Sequence, residues 1–269
     1  TGMLMEYFSD TYDLDHSFVI GDRVTDVELA KNLGCKAILI SGDDKVLEDS
    51  GLQEYCALQT TSWDCITEFL FAGERVATVQ RTTKETDIFV RINLDGSGKA
   101  DINTGLKFFD HMLEQIGKHG GFAMLVEAQG DLQIDEHHTV EDTGIVLGQA
   151  LDQALGDRTG VTRYGFAVVP MDEARASCAI DLSGRPYTAL DAALPPGITG
   201  GLDHELVEEF FRAVANSAKL TVHLTVERGT NAHHMIEATF KAFARALRQA
   251  VSIDPKETGV PSTKGTLTG

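Results

Sequence analysis

Apolar and polar positions alternate along the chain in two rhythms, one of strands and one of helices. Near the amino end the apolar run Ser17-Phe18-Val19-Ile20 leads into Gly21-Asp22-Arg23-Val24-Thr25-Asp26. A helical stretch from Val27 to Leu33 stops at Gly34, and a second apolar run, Lys36 to Ile40, follows. Strand, loop, helix and strand in that order predict an open parallel sheet with its working loop at a strand's carboxyl end. Further on, Asp87-Ile88-Phe89-Val90-Arg91-Ile92 and Thr221-Val222-His223-Leu224-Thr225-Val226 alternate with the period of half-buried strands. Ile236, Phe240, Phe243 and Leu247 recur at i, i+4, i+7 and i+11, a continuous stripe on one helix. Pro195-Pro196-Gly197 and Gly200-Gly201 mark a loop, and the stretch from Pro255 to Gly269 has no period, so it is either disordered or a binding loop.

From Glu74 onward the pattern runs twice. The first pass carries Glu85, a strand ending Ile92-Asn93-Leu94-Asp95-Gly96, a helix with His111, and His137-His138-Thr139-Val140-Glu141. The second carries Glu173, a strand ending Ile180-Asp181-Leu182-Ser183-Gly184, a helix with Glu209, and His233-His234-Met235-Ile236-Glu237. The expected fold is α+β, two pseudo-symmetric halves of sheet packed on helices, preceded by an α/β fragment. We place the fragment at 1–73 and the larger domain at 74–269, with repeats at about 74–160 and 161–252 and a tail at 253–269.

Composition narrows the function. Among 269 residues, 23 basic against 41 acidic side chains give a net charge of −18, which argues against nucleic acid as the main partner, since phosphate affinity comes chiefly from Lys and Arg. The first 73 residues hold 14 acidic and 4 basic groups (−10) and the rest hold 27 and 19 (−8), so the acidity is concentrated in the fragment. No apolar run approaches the roughly 20 residues that span a bilayer, so no membrane role is expected. The four cysteines stand at uneven spacings and read as reduced thiols of a cytoplasmic protein rather than a disulfide or zinc framework.

The candidate chemistry lies in the histidines. In HHxxE on a helix, the first His and the Glu are i and i+4 and share a face that can grip one metal ion. His137 with Glu141 should hold one ion and His233 with Glu237 another. The second His is turned by about 100°, which leaves His138 and His234 free to reach the other motif's ion. His111 is a third imidazole, with Asp110 a candidate to orient it. Gln115 follows His111 at i+4 and His119 at i+8, so Gln115 faces the same way. Imidazole and carboxylate without thiolate suit Mn²⁺, Fe²⁺ or Zn²⁺. His16, His204 and His223 fall outside the pattern and are expected to be ordinary packing or surface groups. No single half encloses both motifs easily, so a site shared between subunits is expected.

Residues 74–269 resemble the imidazoleglycerol-phosphate dehydratases through RTTKETDIFVRINLDGSG, FFDHMLEQIGKHGGF, DEHHTVEDTGIVLGQAL, PMDEARASCAIDLSGRPY, NAHHMIEATFKAFARALRQA and PSTKGTL. The resemblance implies a ribosomal protein S5 domain 2-like fold and dehydration of imidazole glycerol phosphate to imidazole acetol phosphate in histidine biosynthesis. It implies two Mn²⁺ per active site, acting through a metal-bound imidazolate and a diazafulvene-like intermediate. Glu85 then matches the family's acid–base carboxylate, with its repeat-mate Glu173 a second candidate. Substrate contacts fall on Glu85, His111, Gln115, His119, His137 and Glu141, and phosphate contacts on Arg163, Arg185, Lys241, Ser262, Thr263 and Lys264. The metal ligands are His111, His137, His138, Glu141, Glu209, His233, His234 and Glu237. Glu209 stands where the family usually has histidine, and we expect it to ligate. A cytoplasmic shell of 24 subunits built from trimers is also implied.

The stretch IGDRVTDVELAKNLG is similar to the last acidic motif of haloacid-dehalogenase phosphatases, in which Asp22 and Asp26 would hold Mg²⁺. The chain has no DxDxT nucleophile motif, so this fragment, similar to the end of a histidinol-phosphate phosphatase domain, is expected to be inactive. The rival readings are a metal-binding shell or storage protein without turnover, which would need neither Glu85 nor the Ser262-Thr263-Lys264 tail, and a phosphatase.

Overall fold

The computed structural model describes residues 14, 17–43, 45–48, 50–71, 75–254 and 256–267, in two compact units, 1–73 and 74–269. His16 and Pro255 lie outside the described residues.

The first unit contains β1 (Phe18–Gly21), α1 (Val24–Leu33), β2 (Lys36–Ile40), α2 (Lys45–Glu48), β3 (Cys56–Thr60) and α3 (Trp63–Phe71). Its strands pair in parallel in the order β1-β2-β3. Val27, Ala30 and Leu33 of α1 bury against Ala37 and Leu39 of β2. Helix α1 begins at Val24, three residues before the expected start at Val27, because the Asp26 carboxylate accepts the Arg23 N–H at 3.0 Å and caps the turn. Asp22 stays exposed in the loop after β1.

The second unit runs β4 (Val76–Thr82), β5 (Thr86–Asn93), β6 (Ala100–Asn103), α4 (Lys107–Gly120), β7 (Ala123–Gly130) and α5 (His137–Leu155). It then repeats as β8 (Tyr164–Met171), β9 (Ala174–Asp181), β10 (Tyr187–Asp191), α6 (Leu206–Ala218), β13 (Thr221–Arg228) and α7 (Ala232–Val251). A short hairpin, β11 (Ile198–Thr199) and β12 (Leu202–Asp203), is inserted before α6. The sheets have the same order, β4-β5-β7-β6 and β8-β9-β13-β10, with the last pair parallel in each. Strands β5 and β9 even share one burial alternation along their eight residues. The sheets pack on helices, as the α+β expectation required.

The halves are not separate. Their apolar faces form one core, in which Phe109 of α4 meets Phe210 of α6, and Phe210 stacks on Phe240 of α7 at 5.3 Å. Each such buried side chain contributes about 1.5–3 kcal/mol. As a result α4 of the first half lies on α7 of the second, and α6 of the second lies on α5 of the first. The α5–α6 crossing is close enough to need glycine: a Cβ on Gly148 would stand 2.6 Å from the Val214 carbonyl. In the inserted hairpin, Gly200 and Gly201 both have positive φ, and a Cβ on Gly200 would stand 2.6 Å from Phe108 Cβ. The sequence marked this only as a loop; it is a tight turn seated on the helix that carries His111.

Candidate functional site

Each HHxxE motif opens a helix. Asn231 caps α7 by accepting the His233 N–H at 2.9 Å and the His234 N–H at 3.4 Å. The i and i+4 side chains meet as expected: His233 Nε2 is 3.0 Å from Glu237 Oε2, and His137 Nε2 is 3.7 Å from Glu141 Oε2. The neighbouring rings point elsewhere, with interplanar angles of 87° for His233 and His234 and 73° for His137 and His138.

Around α7 the helix packing completes a donor set. His111 of α4 brings Nε2 to 3.6 Å from Glu237 Oε2, and one donor atom each from His111, His233 and Glu237 lie within 4.8 Å of one another. Among the described residues this is the one group of three such side chains that could hold a cation. Two imidazoles and a carboxylate match the donor chemistry of Mn²⁺, Fe²⁺ or Zn²⁺. Burial pushes the Glu237 carboxyl up, but the Lys241 ammonium at 2.7 Å, with His111 and His233, more than offsets it and holds the group below the ordinary glutamate value. Gln115 donates to the His111 carbonyl at 3.2 Å and lies 3.4 Å from its ring. His119, farther along α4, is held below the ordinary imidazole value by burial and by Lys241 and Arg245. Asp110 does not orient His111: it accepts from Thr104 N–H and Oγ1, each at 2.7 Å, and pairs with Lys107, fixing the start of α4.

Around α5 the corresponding set is open. Glu209 of α6 lines the same groove as Glu141, but Arg212 holds it at 2.7 Å and also binds Glu208.

The second histidines each have a carboxylate on Nδ1, and His234 Nε2 also lies 3.8 Å from Asp172 Oδ2. Asp131, just past β7, lies 3.1 Å from His138 Nδ1 and holds that imidazole above its ordinary value, aided by the charges of Glu85 and Asp135. Sequence reasoning missed Asp131, the first of three acids, with Asp135 and Glu136, between a strand's end and the motif. Glu173 holds His234 Nδ1 at 2.7 Å and accepts the Asn231 and Thr230 N–H groups at 2.8 and 3.2 Å. The His234 bond and these two backbone bonds pull the Glu173 carboxyl down to about 2. Glu85, at the equivalent hairpin turn, is exposed.

Of the cationic set, Arg163 is bound to Asp181 through Nε and Nη2 at 2.7 and 3.2 Å, and its Nη1 donates to the Pro261 carbonyl at 2.8 Å. The described tail residues 256–267 are therefore tied down: Gly160 N–H donates to Gly259 O at 2.8 Å, and Leu267 is buried. Ser262 to Gly265 form a turn closed by a 2.9 Å bond, with Thr263 and Lys264 exposed upon it. Arg185 is exposed at the turn after β9. His204 is an ordinary buried histidine, bonded to Pro195 O at 2.6 Å and Thr199 Oγ1 at 2.8 Å.

Known proteins resemble a segment within each of the two units. The imidazoleglycerol-phosphate dehydratase family model matches residues 104–247, and a HAD-hydrolase-like model matches 1–53. The imidazoleglycerol-phosphate dehydratase of Symbiobacterium thermophilum is 60% identical over 195 residues, 72% of this chain and 94% of that protein. The histidine biosynthesis bifunctional protein HisB of Bacteroides fragilis is 52% identical over 268 residues, 99% of this chain and 71% of that one. The crystal structure of imidazoleglycerol-phosphate dehydratase from Staphylococcus aureus superposes with a TM-score of 0.61 at 44% identity, covering 66% of this chain and 99% of that. No helix among the described residues is long and apolar enough to cross a membrane.

Proposed function

The chain belongs to the imidazoleglycerol-phosphate dehydratase family, and from that premise we propose how its own residues carry the reaction. It is a hydro-lyase of histidine biosynthesis, converting imidazole glycerol phosphate to imidazole acetol phosphate. The observation that carries the reading is the His111–His233–Glu237 set, built where α4 of one repeat lies on α7 of the other.

These three residues would hold one divalent cation, and His137 with Glu141, joined by Glu209, would hold a second, with His138 and His234 completing the sites. Divalent cations bound there, Mn²⁺ on this reading, would supply Lewis acidity that makes the substrate ring a better electron donor and so would activate a side chain that lacks an adjacent carbonyl. The exposed Glu85 carboxylate takes the proton from the carbon next to the ring-attached one. The hydroxyl on the ring-attached carbon leaves as water with the proton that Glu85 took, and the enol that remains loses its hydroxyl proton and gains one at that carbon to become the ketone. Glu173, expected to share this proton transfer, instead orients His234, because both its oxygens are already bonded.

Gln115 holds His111 in place and His119, kept neutral, faces the substrate side of α4. Arg185, Lys264, Ser262 and Thr263 bind the phosphate, while Arg163 contributes by holding the tail at Pro261. Lys241 serves as the partner of Glu237 and as a phosphate donor. The divided ligand sets support a site completed between subunits, and the family resemblance extends this to a cytoplasmic assembly of 24 copies built from trimers. The carboxylate pair Asp22 and Asp26 adds no phosphatase activity to this reading.

Turnover of imidazole glycerol phosphate by the whole chain in Mn²⁺ buffer, abolished by chelation and restored by Mn²⁺, is the expected result. Metal uptake without product would favour the storage reading.

A further inference from the structure

The two hairpin turns occupy the same place in the repeat but are supported differently. In the first, Thr83 N–H donates to Thr86 O at 2.8 Å, and Thr83 Oγ1 accepts the N–H groups of Glu85 and Thr86 at 3.1 and 3.0 Å. Thr86 Oγ1 then donates to Asp142 Oδ2, and Arg81 pairs with that same oxygen at 2.5 Å. Thr86 and Asp142 are buried, and Asp142 directly follows Glu141 on α5. Superposing the repeats by their HHxxE motifs and hairpin glutamates places Val169 on Arg81, Ala174 on Thr86 and Ala238 on Asp142. All three polar members are thus apolar in the second copy, where Ala174 and Ala238 are buried and Val169 packs on the core.

Packing alone does not call for the polar set. Replacing a buried ion pair by apolar groups of suitable volume is often neutral for stability, and the second half demonstrates an apolar solution for the same space. The Thr86–Asp142 hydrogen bond and the Arg81–Asp142 ion pair fix geometry more tightly than apolar contact does. What differs between the two turns is the carboxylate they present: Glu173 is itself anchored by His234 and two backbone N–H groups, whereas among the described residues no such bond to the Glu85 carboxylate accompanies its turn.

We propose that Arg81, Asp142 and Thr86 are positioning residues that set the Glu85 turn against the metal-binding helix α5. This inference rests on Glu85 being the proton-transfer group. The carboxylate needs a fixed approach to the substrate carbon yet must stay free of partners, so its backbone is held instead of its side chain. Asp142 supplies the hold from the residue after Glu141, which ties the acid–base group and the ring-binding group to one helix.

The test is Arg81→Val, Thr86→Ala and Asp142→Ala together in the whole Mn²⁺-loaded protein, the combination that the second half already packs. Glu85→Gln and the quadruple variant are measured beside it. The expected result is a fall in kcat of about 100-fold, the scale of an ångström of misplacement, with KM within about twofold, Mn²⁺ content unchanged and a folded melting profile. In the Glu85→Gln background the same three changes cost nothing further, and Thr86→Ser, which keeps the hydroxyl, retains the parent kcat. Asp142→Asn, closer in shape, guards against misfolding and shows a smaller loss of the same kind. A triple variant with the parent kcat, or one that loses as much again in the Glu85→Gln background, overturns the inference while leaving Glu85 in its role. A Glu85→Gln protein as active as the parent overturns the role of Glu85 and this inference with it.

Discussion

The two halves share a strand order and a spacing of motifs, yet they handle their carboxylates in opposite ways. In the second half Glu173 reaches from the hairpin to His234 and fixes that imidazole. In the first half the matching job on His138 is done by Asp131, so Glu85 is released from it. Counting back from each motif, Glu227 stands where Asp131 does, but it pairs with Arg175 and takes no part. A duplicated fold therefore supports an asymmetric reaction by moving one orienting acid from a hairpin to a strand end. On the mechanism proposed above, the freed hairpin acid is the one that transfers the proton.

The sharpest break of that comparison is the matched pair Glu85→Gln and Glu173→Gln. Glu85→Gln should lower kcat by roughly 10²- to 10⁴-fold, the range of general acid–base groups, with Mn²⁺ affinity unchanged. Equal kcat losses in the two variants, measured with saturating metal, would mean that the hairpins are not divided in their labour.

The α4–α7 and α5–α6 clusters give the next contrast. His111→Ala removes one of three gathered donors and should take metal content from about two ions per chain toward one. At the other cluster Glu209 must leave Arg212 before it can ligate. Arg212→Ala should therefore strengthen metal binding at that site and Glu209→Ala weaken it, each by about tenfold, the lower end of what partners of metal ligands contribute. Titration calorimetry with Mn²⁺ reads both; an indifferent Glu209→Ala removes Glu209 from the ligand set.

Much of this was legible in the residues themselves. Helical spacing alone placed His233 with Glu237 and His137 with Glu141, because i and i+4 share a face whatever the tertiary fold. The strands and the final helix followed from period, and the doubled pattern gave the architecture. Which helix lies on which could not be read that way. The pairing of His111 with the second motif depends on Phe109, Phe210 and Phe240 packing across the repeats, a contact that no local pattern encodes. Likewise Arg163 was marked as a phosphate contact by the family resemblance alone, and only the fold shows Asp181 and the Pro261 carbonyl around it. Asp110 was misjudged because adjacency to His111 suggested contact, while the helix turns its carboxylate back onto Thr104.

Glu173→Gln should weaken Mn²⁺ binding by about 10- to 100-fold through loss of the group that orients His234, and its finer signature is in pH. The Glu173 bond, against some desolvation, raises His234 above the ordinary 6.5, so its stabilising part is complete below 6.5 and is lost as pH rises through the raised value. Glu173 is lowered from 4.5 to about 2, so its part is complete above 4.5 and is lost as pH falls toward 2. In metal-free protein both groups are charged between 4.5 and 6.5, and there the melting temperatures of the parent and Glu173→Gln should differ most, with the gap closing on either side. The difference is small because the pair faces water and is screened. With Mn²⁺ present the alkaline side reverses: the ion competes with the proton for Nε2, so metal-derived stabilisation grows as pH rises through the raised His234 value. Melting curves of chelated and Mn²⁺-loaded protein across this range test both halves of the argument. A gap that stays flat with pH in the chelated protein would show that the Glu173–His234 contact is not an ion pair in solution.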